Sequence, residues 1–155
     1  MGYIIVAGVS CVGKTSYCRF IAPPGGHIDI GLIRKGKTLP KKKWMLHACL
    51  NCPTIGGKKY GKAFSFGDVV EVVTIIATRA EMIDRARKRI KRKGVKESRW
   101  SRLYGNMDAE GLVKVYEPWL AFVDERGVKS IILHGIGLDN YVEVSKELCL
   151  KILRS

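Results

Sequence analysis

The chain has no apolar run approaching the ~20 residues that a membrane-spanning helix requires, so its sequence offers no helical anchor. Its most apolar early segment, Tyr3 to Val9, lacks the basic flank of a secretion signal and reads instead as a first strand. Cysteine is sparse: five residues at irregular positions, an odd number, speak against a disulfide framework and for reduced thiols in the cytoplasm. His47, Cys49 and Cys52 lie close together, but a structural zinc site needs four ligands and no partner pair is present. Acidic residues are scarce as well. Fourteen Asp and Glu stand against 28 Lys and Arg, for a net charge of +14.

That surplus is uneven. Residues 1–102 carry 22 Lys and Arg against 6 Asp and Glu, whereas residues 103–155 carry 6 against 8. One nucleotide site needs only a few cations, and the remaining excess calls for a polyanion; a nucleic acid is the simplest candidate. Three places set aromatic rings beside cations, the combination that stacks a base while gripping its backbone. They are Lys41, Lys42, Lys43 and Trp44; Lys58 and Lys59 before Tyr60; and Arg99, Trp100 and Arg102. Of the three tryptophans, Trp119 alone reads as core.

What the sequence does contain is a complete G-x-x-x-x-G-K-[ST] run, Gly8-Val9-Ser10-Cys11-Val12-Gly13-Lys14-Thr15. A β-branched stretch precedes it, and Thr15 to Ala22 reads as a helix stopped by Pro23-Pro24. Strand, glycine loop and helix together let backbone N–H groups wrap a polyphosphate at a helix N-terminus. The expected ATP-binding residues are Gly8, Ser10, Cys11, Val12, Gly13, Lys14, Thr15 and Ser16. Lys14 would reach the β- and γ-phosphates, and the Thr15 hydroxyl would hold Mg²⁺, with Asp68 as the nearest carboxylate to assist it. The N/T-K-x-D segment that reads guanine is missing, and the D-x-x-G match at Asp108 to Gly111 opens a helix rather than following a strand.

Further along, His27 to Ile30 reads as a short strand ending in a carboxylate, and Lys43 to Leu50 has helix-like spacing. Val69 to Thr78 is the strongest strand, followed by a helix from Ala80 to about Lys93 that stops at Gly94. Asp108 to about Glu125 forms another helix, in which Pro118 predicts a kink or break. Ser130 to His134 is a strand, His134-Gly135-Ile136-Gly137 a loop, and Asn140 to Leu153 a closing amphipathic helix. The alternation predicts one α/β domain over residues 1–155, three-layered around a mostly parallel sheet.

With these elements in this order, the chain resembles the P-loop kinases of nucleosides, nucleotides and polynucleotides. The resemblance implies ATP and Mg²⁺ as cofactors and a catalytic set of Lys14, Asp29, Arg85 and Arg89. Asp29 matches the strand-end carboxylate that takes the proton from the attacking hydroxyl in that family. Arg85 and Arg89 match its basic lid, here spanning about residues 79–102; four apart, they share a helix face and can converge on one triphosphate. Arg92 extends the stripe, whereas Arg87, Lys88 and Lys91 read as solvated. Size and charge resemble the small phage kinases that phosphorylate hydroxymethylated pyrimidines in DNA, which would place the protein in the host cytoplasm. Kinases of polynucleotide 5′-hydroxyl ends, kinases of free nucleosides or monophosphates, and a nucleotide-gated nucleic-acid binder without transfer chemistry remain alternatives.

Overall fold

The computed structural model describes residues 2–9, 11–21, 26–29, 45–50, 69–93, 108–137 and 140–155. In chain order the elements are β1 (Tyr3–Gly8), α1 (Lys14–Ile21), β2 (His27–Asp29), β3 (Met45–Cys49) and β4 (Val69–Ile76). They continue as α2 (Arg79–Lys93), α3 (Ala109–Arg126), β5 (Lys129–Gly137), β6 (Asn140–Glu143) and α4 (Lys146–Arg154). The strands form one sheet in the order β2-β3-β1-β4-β5-β6. All neighbours are parallel except β5 and β6, so the architecture is α/β with a mostly parallel sheet. From β1 the chain moves outward to β2, returns to β3, then crosses β1 to reach β4 and β5. The direction of travel therefore reverses at β1, the arrangement that opens a crevice at the carboxyl ends of the strands.

Helices cover both faces of this sheet, which is why its strands are apolar without alternation. Glu71 and Thr74, three apart on β4, face opposite sides. The Thr74 hydroxyl accepts from Trp119 Nε1 at 3.0 Å, putting α3 on one side. The crossovers from β1 to β2 and from β4 to β5 travel in opposite directions along the sheet, and right-handed crossovers then put α1 on the other. Between the layers Ile5, Val6, Ala7, Val72 and Ile75 are wholly buried, together with Trp119. Burial also pushes the Cys18 and Cys149 thiols up, to about 12 and about 11, so both stay protonated inside this core. Among the described residues no helix is long and apolar enough to cross a membrane.

Three sequence expectations give way here, and the one at Pro118 loses its break. The described part of the helix expected over Lys43 to Leu50 is a strand: Met45–Cys49 is β3, held between β1 and β2, with Met45, Leu46 and Ala48 wholly buried. A short run buried on both faces has no periodicity to separate helix from strand. Asn140 to Leu153 divides into strand β6 and helix α4, because Ser145 caps the helix by accepting from Leu148 N–H at 3.1 Å. His134 to Gly137 belongs to β5 rather than to a loop, since β6 pairs with it. Pro118 does not break α3, which runs unbroken for 18 residues from its Asp108 N-cap to Gly127 in a left-handed C-cap. Tertiary packing outweighs the lost hydrogen bond there: Leu112, Val113, Tyr116, Trp119 and Leu120 are all buried on either side of the proline.

Candidate functional site

Gly8 ends β1 at the carboxyl edge of the sheet, where the chain reverses direction. A Cβ at Gly8 would stand 2.6 Å from the Ile75 carbonyl oxygen and 2.7 Å from Val12 Cγ2, so only glycine lets the following loop fold this tightly against β4. Val9 N–H then donates to the Tyr116 hydroxyl at 3.0 Å, and that hydroxyl donates to Ile75 O at 2.8 Å. Tyr116 is wholly buried and fastens the start of the loop to β4. Replacing Tyr116 by Phe strands a buried donor and a buried acceptor, with an expected loss of about 1–3 kcal/mol of stability. The urea midpoint should fall at constant m-value; an unchanged midpoint would mean that both groups find other partners.

Beyond Ser10, which lies outside the described residues, Cys11 (φ 66°) and Gly13 (φ 101°) both take left-handed backbone conformations. Cys11 does so without glycine's freedom, a state that typically costs about 1–3 kcal/mol and persists only where neighbours hold it. They do. Arg85 on α2 sends Nη1 to the carbonyl oxygens of Cys11 at 3.3 Å and Val12 at 3.1 Å, and Nη2 to Gly135 O on β5 at 2.7 Å. The Tyr141 hydroxyl on β6 donates to Gly13 O at 3.0 Å, and its ring meets Tyr17 edge-on with centroids 5.1 Å apart. Helix α1 starts at once, with Tyr17 N–H bonded to Gly13 O at 2.9 Å. Its remaining first-turn N–H groups have no intrahelical acceptor, which makes this end receptive to an anion. Lys14, the first helical residue, folds back so that Nζ donates to Val9 O at 2.6 Å.

A cavity of about 590 Å³ opens beside this loop, within the range that holds a nucleotide-sized ligand. Cys11, Val12, Gly13 and Ser16 form one wall, and Ile136, Gly137 and Tyr141 of the β5–β6 hairpin form another. The third wall is α2, which presents Arg85, Lys88, Arg89 and Arg92 together with Glu81 and Asp84. Asp84 pairs with Lys88 at 2.8 Å on the exposed helix surface, a contact worth little in stability but enough to balance that cation locally. Glu81 is occupied by structure. Its Oε2 accepts from Thr78 N–H at 2.6 Å, while the Thr78 hydroxyl accepts from Glu81 N–H at 3.1 Å, closing a capping box over the start of α2. His134 Nε2 lies 3.0 Å from the same Oε2. Burial pushes the Glu81 carboxyl up, but the hydrogen bonds from His134 and Thr78 outweigh it and hold the pKa below the ordinary value. Arg89 and Arg92 are exposed and have no ion-pair or hydrogen-bond partner among the described residues.

The structure thus brings Gly8, Cys11, Val12, Gly13, Lys14, Thr15 and Ser16 into one loop and helix start, and sets Arg85, Arg89 and Arg92 along the facing helix. Thr15 is exposed on the first turn of α1. Asp29 closes β2, level with His47 of β3 and two strands from β1, about 10 Å across the sheet at ordinary strand spacing. Lys88, read as solvated, also lines the cavity. Asp68, Lys41, Lys42, Lys43, Trp44, Lys58, Lys59, Arg99, Trp100 and Arg102 lie outside the described residues. Among the described residues no three His, Cys, Asp or Glu side chains converge as a metal site. Sequence reasoning missed Tyr116, Tyr141 and Gly135, whose roles depend on contacts across the fold. It also missed Glu81, although Thr78-Arg79-Ala80-Glu81, a T-x-x-E run directly after a strand, is a readable cap signal. Compared with models of protein families and with curated proteins, the chain matches none.

Proposed function

We propose that this protein is an ATP-dependent phosphotransferase that moves the γ-phosphate to a hydroxyl carried on nucleic acid, foremost a hydroxymethylated pyrimidine base in DNA and next a 5′-hydroxyl end. The observation that carries the reading is the Gly8–Thr15 loop. It has the sequence of a phosphate cradle, leaves the central parallel strand at the crevice edge and runs directly into a helix. In this reading Lys14 holds the β- and γ-phosphates as a point charge. Mg²⁺, when bound, would neutralise phosphate charge, and Thr15, exposed on the first turn of α1, is the one of the described residues that would hold it. Arg89 and Arg92 on the cavity wall offset charge on the transferring group. Asp29 at the strand end aligns the acceptor hydroxyl and takes its proton. A base-borne hydroxyl has to leave the helical stack to reach it. The +14 net charge, continued along the exposed Arg87, Lys91 and Arg92 of α2, suits a polyanionic acceptor better than a free nucleoside.

The test is transfer of label from γ-labelled ATP, with Mg²⁺, to hydroxymethyluracil-containing DNA, 5′-hydroxyl DNA and a panel of free nucleosides and monophosphates. Label is expected on DNA, with KM for DNA rising steeply with salt because each neutralised phosphate releases counterions. Label on the free compounds alone, insensitive to salt, would overturn the nucleic-acid acceptor. No label on any of them would overturn the transferase reading.

A further inference from the structure

We infer that Arg85 is a positioning residue for the glycine loop and not a group that meets the transferring phosphate; this rests on the loop being the nucleotide site. The lid stripe Arg85, Arg89 and Arg92 looks uniform in sequence, but its first member is already committed. Both hydrogen-bonding directions of Nη1 go to loop carbonyls, Cys11 O at 3.3 Å and Val12 O at 3.1 Å, and Nη2 goes to Gly135 O at 2.7 Å. Swinging this guanidinium to a phosphate would leave three carbonyl oxygens without their charged donor, whereas Arg89 and Arg92 break no such contact when they move.

The clasp has a direct consequence for the loop's chemistry. In a planar trans peptide the C=O of one residue and the N–H of the next point in opposite directions. Turning the Cys11 and Val12 carbonyls onto Arg85 therefore turns the Val12 and Gly13 N–H groups away from it. The left-handed φ of Cys11 (66°) and Gly13 (101°) curls these units into a concavity of the kind that binds anions. Arg85 thus holds donors outward and keeps acceptor oxygens off the phosphate. Its third contact ties the loop to β5, where a Cβ on Gly135 would lie only 3.0 Å from Val12 O. Loop, α2 and β5 are drawn together at one cation.

The experiment compares Arg85→Gln, Arg85→Lys and Arg89→Gln with the unaltered protein. Amide hydrogen exchange is measured without nucleotide, and affinities for Mg·ATP and Mg·ADP are measured alongside steady-state kcat and KM. Arg85→Gln is expected to speed exchange of the Val9 and Tyr17 amides, the hydrogen-bonded ones at the two ends of the loop, by about tenfold or more while the β1 and β4 amides keep their protection. Affinity for ATP and ADP should fall by a similar factor, with KM rising more than kcat falls, the pattern of lost uniform binding. Arg85→Lys should recover part of both. Arg89→Gln should leave loop exchange unaltered. Unchanged loop exchange in Arg85→Gln, or a fall in kcat alone with ATP affinity intact, would overturn the inference. Loss of β1 and β4 protection as well would overturn it too, by showing a general structural role. If the unaltered protein binds no nucleotide, the site reading fails, yet the exchange comparison still decides what Arg85 does to the loop.

Discussion

Lys14→Ala is expected to weaken magnesium-dependent ATP binding by about a hundredfold or more, and to bring phosphotransfer below detection, in a protein that stays folded. The side chain contributes little that the fold cannot spare. Its Nζ donates to Val9 O at 2.6 Å, and losing one hydrogen bond of this kind typically costs about 1–3 kcal/mol. The loop's shape is held independently, by Tyr116 at Val9, by Arg85 at Cys11 and Val12, and by Tyr141 at Gly13. What alanine removes is the compact cation at the helix start, for which no neighbour among the described residues substitutes: Arg85 is held by carbonyls and Arg89 stands on the opposite wall. Titration calorimetry with Mg·ATP, beside a circular-dichroism melt, separates the two effects. Intact ATP affinity in a folded Lys14→Ala protein would remove the loop from the mechanism.

Asp29→Asn should do the reverse, slowing transfer by about a hundredfold to ten-thousandfold while ATP affinity is retained. Asparagine keeps the size and one acceptor oxygen of the carboxylate but cannot accept a proton. Asp29 sits at the carboxyl end of β2, in register with His47, two strands away from the loop that would carry the nucleotide. Single-turnover transfer at saturating ATP is the measurement, with ATP affinity determined in parallel. Transfer at the original rate would take Asp29 out of the reaction, and a parallel loss of ATP affinity would mean that it supports the nucleotide side instead.

How much of this was written in the sequence depends on the range of the interactions involved. β1, the glycine loop and α1 were legible because strand, turn chemistry and helix start are all local, and their bounds move by only a residue or so. The helix spacing of Arg85, Arg89 and Arg92 was legible for the same reason. What the Arg85 guanidinium touches was not, because two of its acceptors lie more than 70 positions earlier and the third 50 positions later. β3 was misread because both of its edges and both of its faces are covered, which erases periodicity. β6 was misread because Asn140 to Glu143 has no strong strand signature of its own; pairing with β5 and the Ser145 cap decide it. That error hid Tyr141, which as a helical residue had no reason to meet Gly13.

The central claim is that the Gly8–Thr15 loop binds a nucleoside triphosphate with magnesium. Calorimetric titration of ATP into the intact chain tests it most directly, once with Mg²⁺ and once with the metal chelated. The account predicts saturable binding at one site per chain that weakens sharply on chelation. No saturable binding at millimolar Mg·ATP would contradict it.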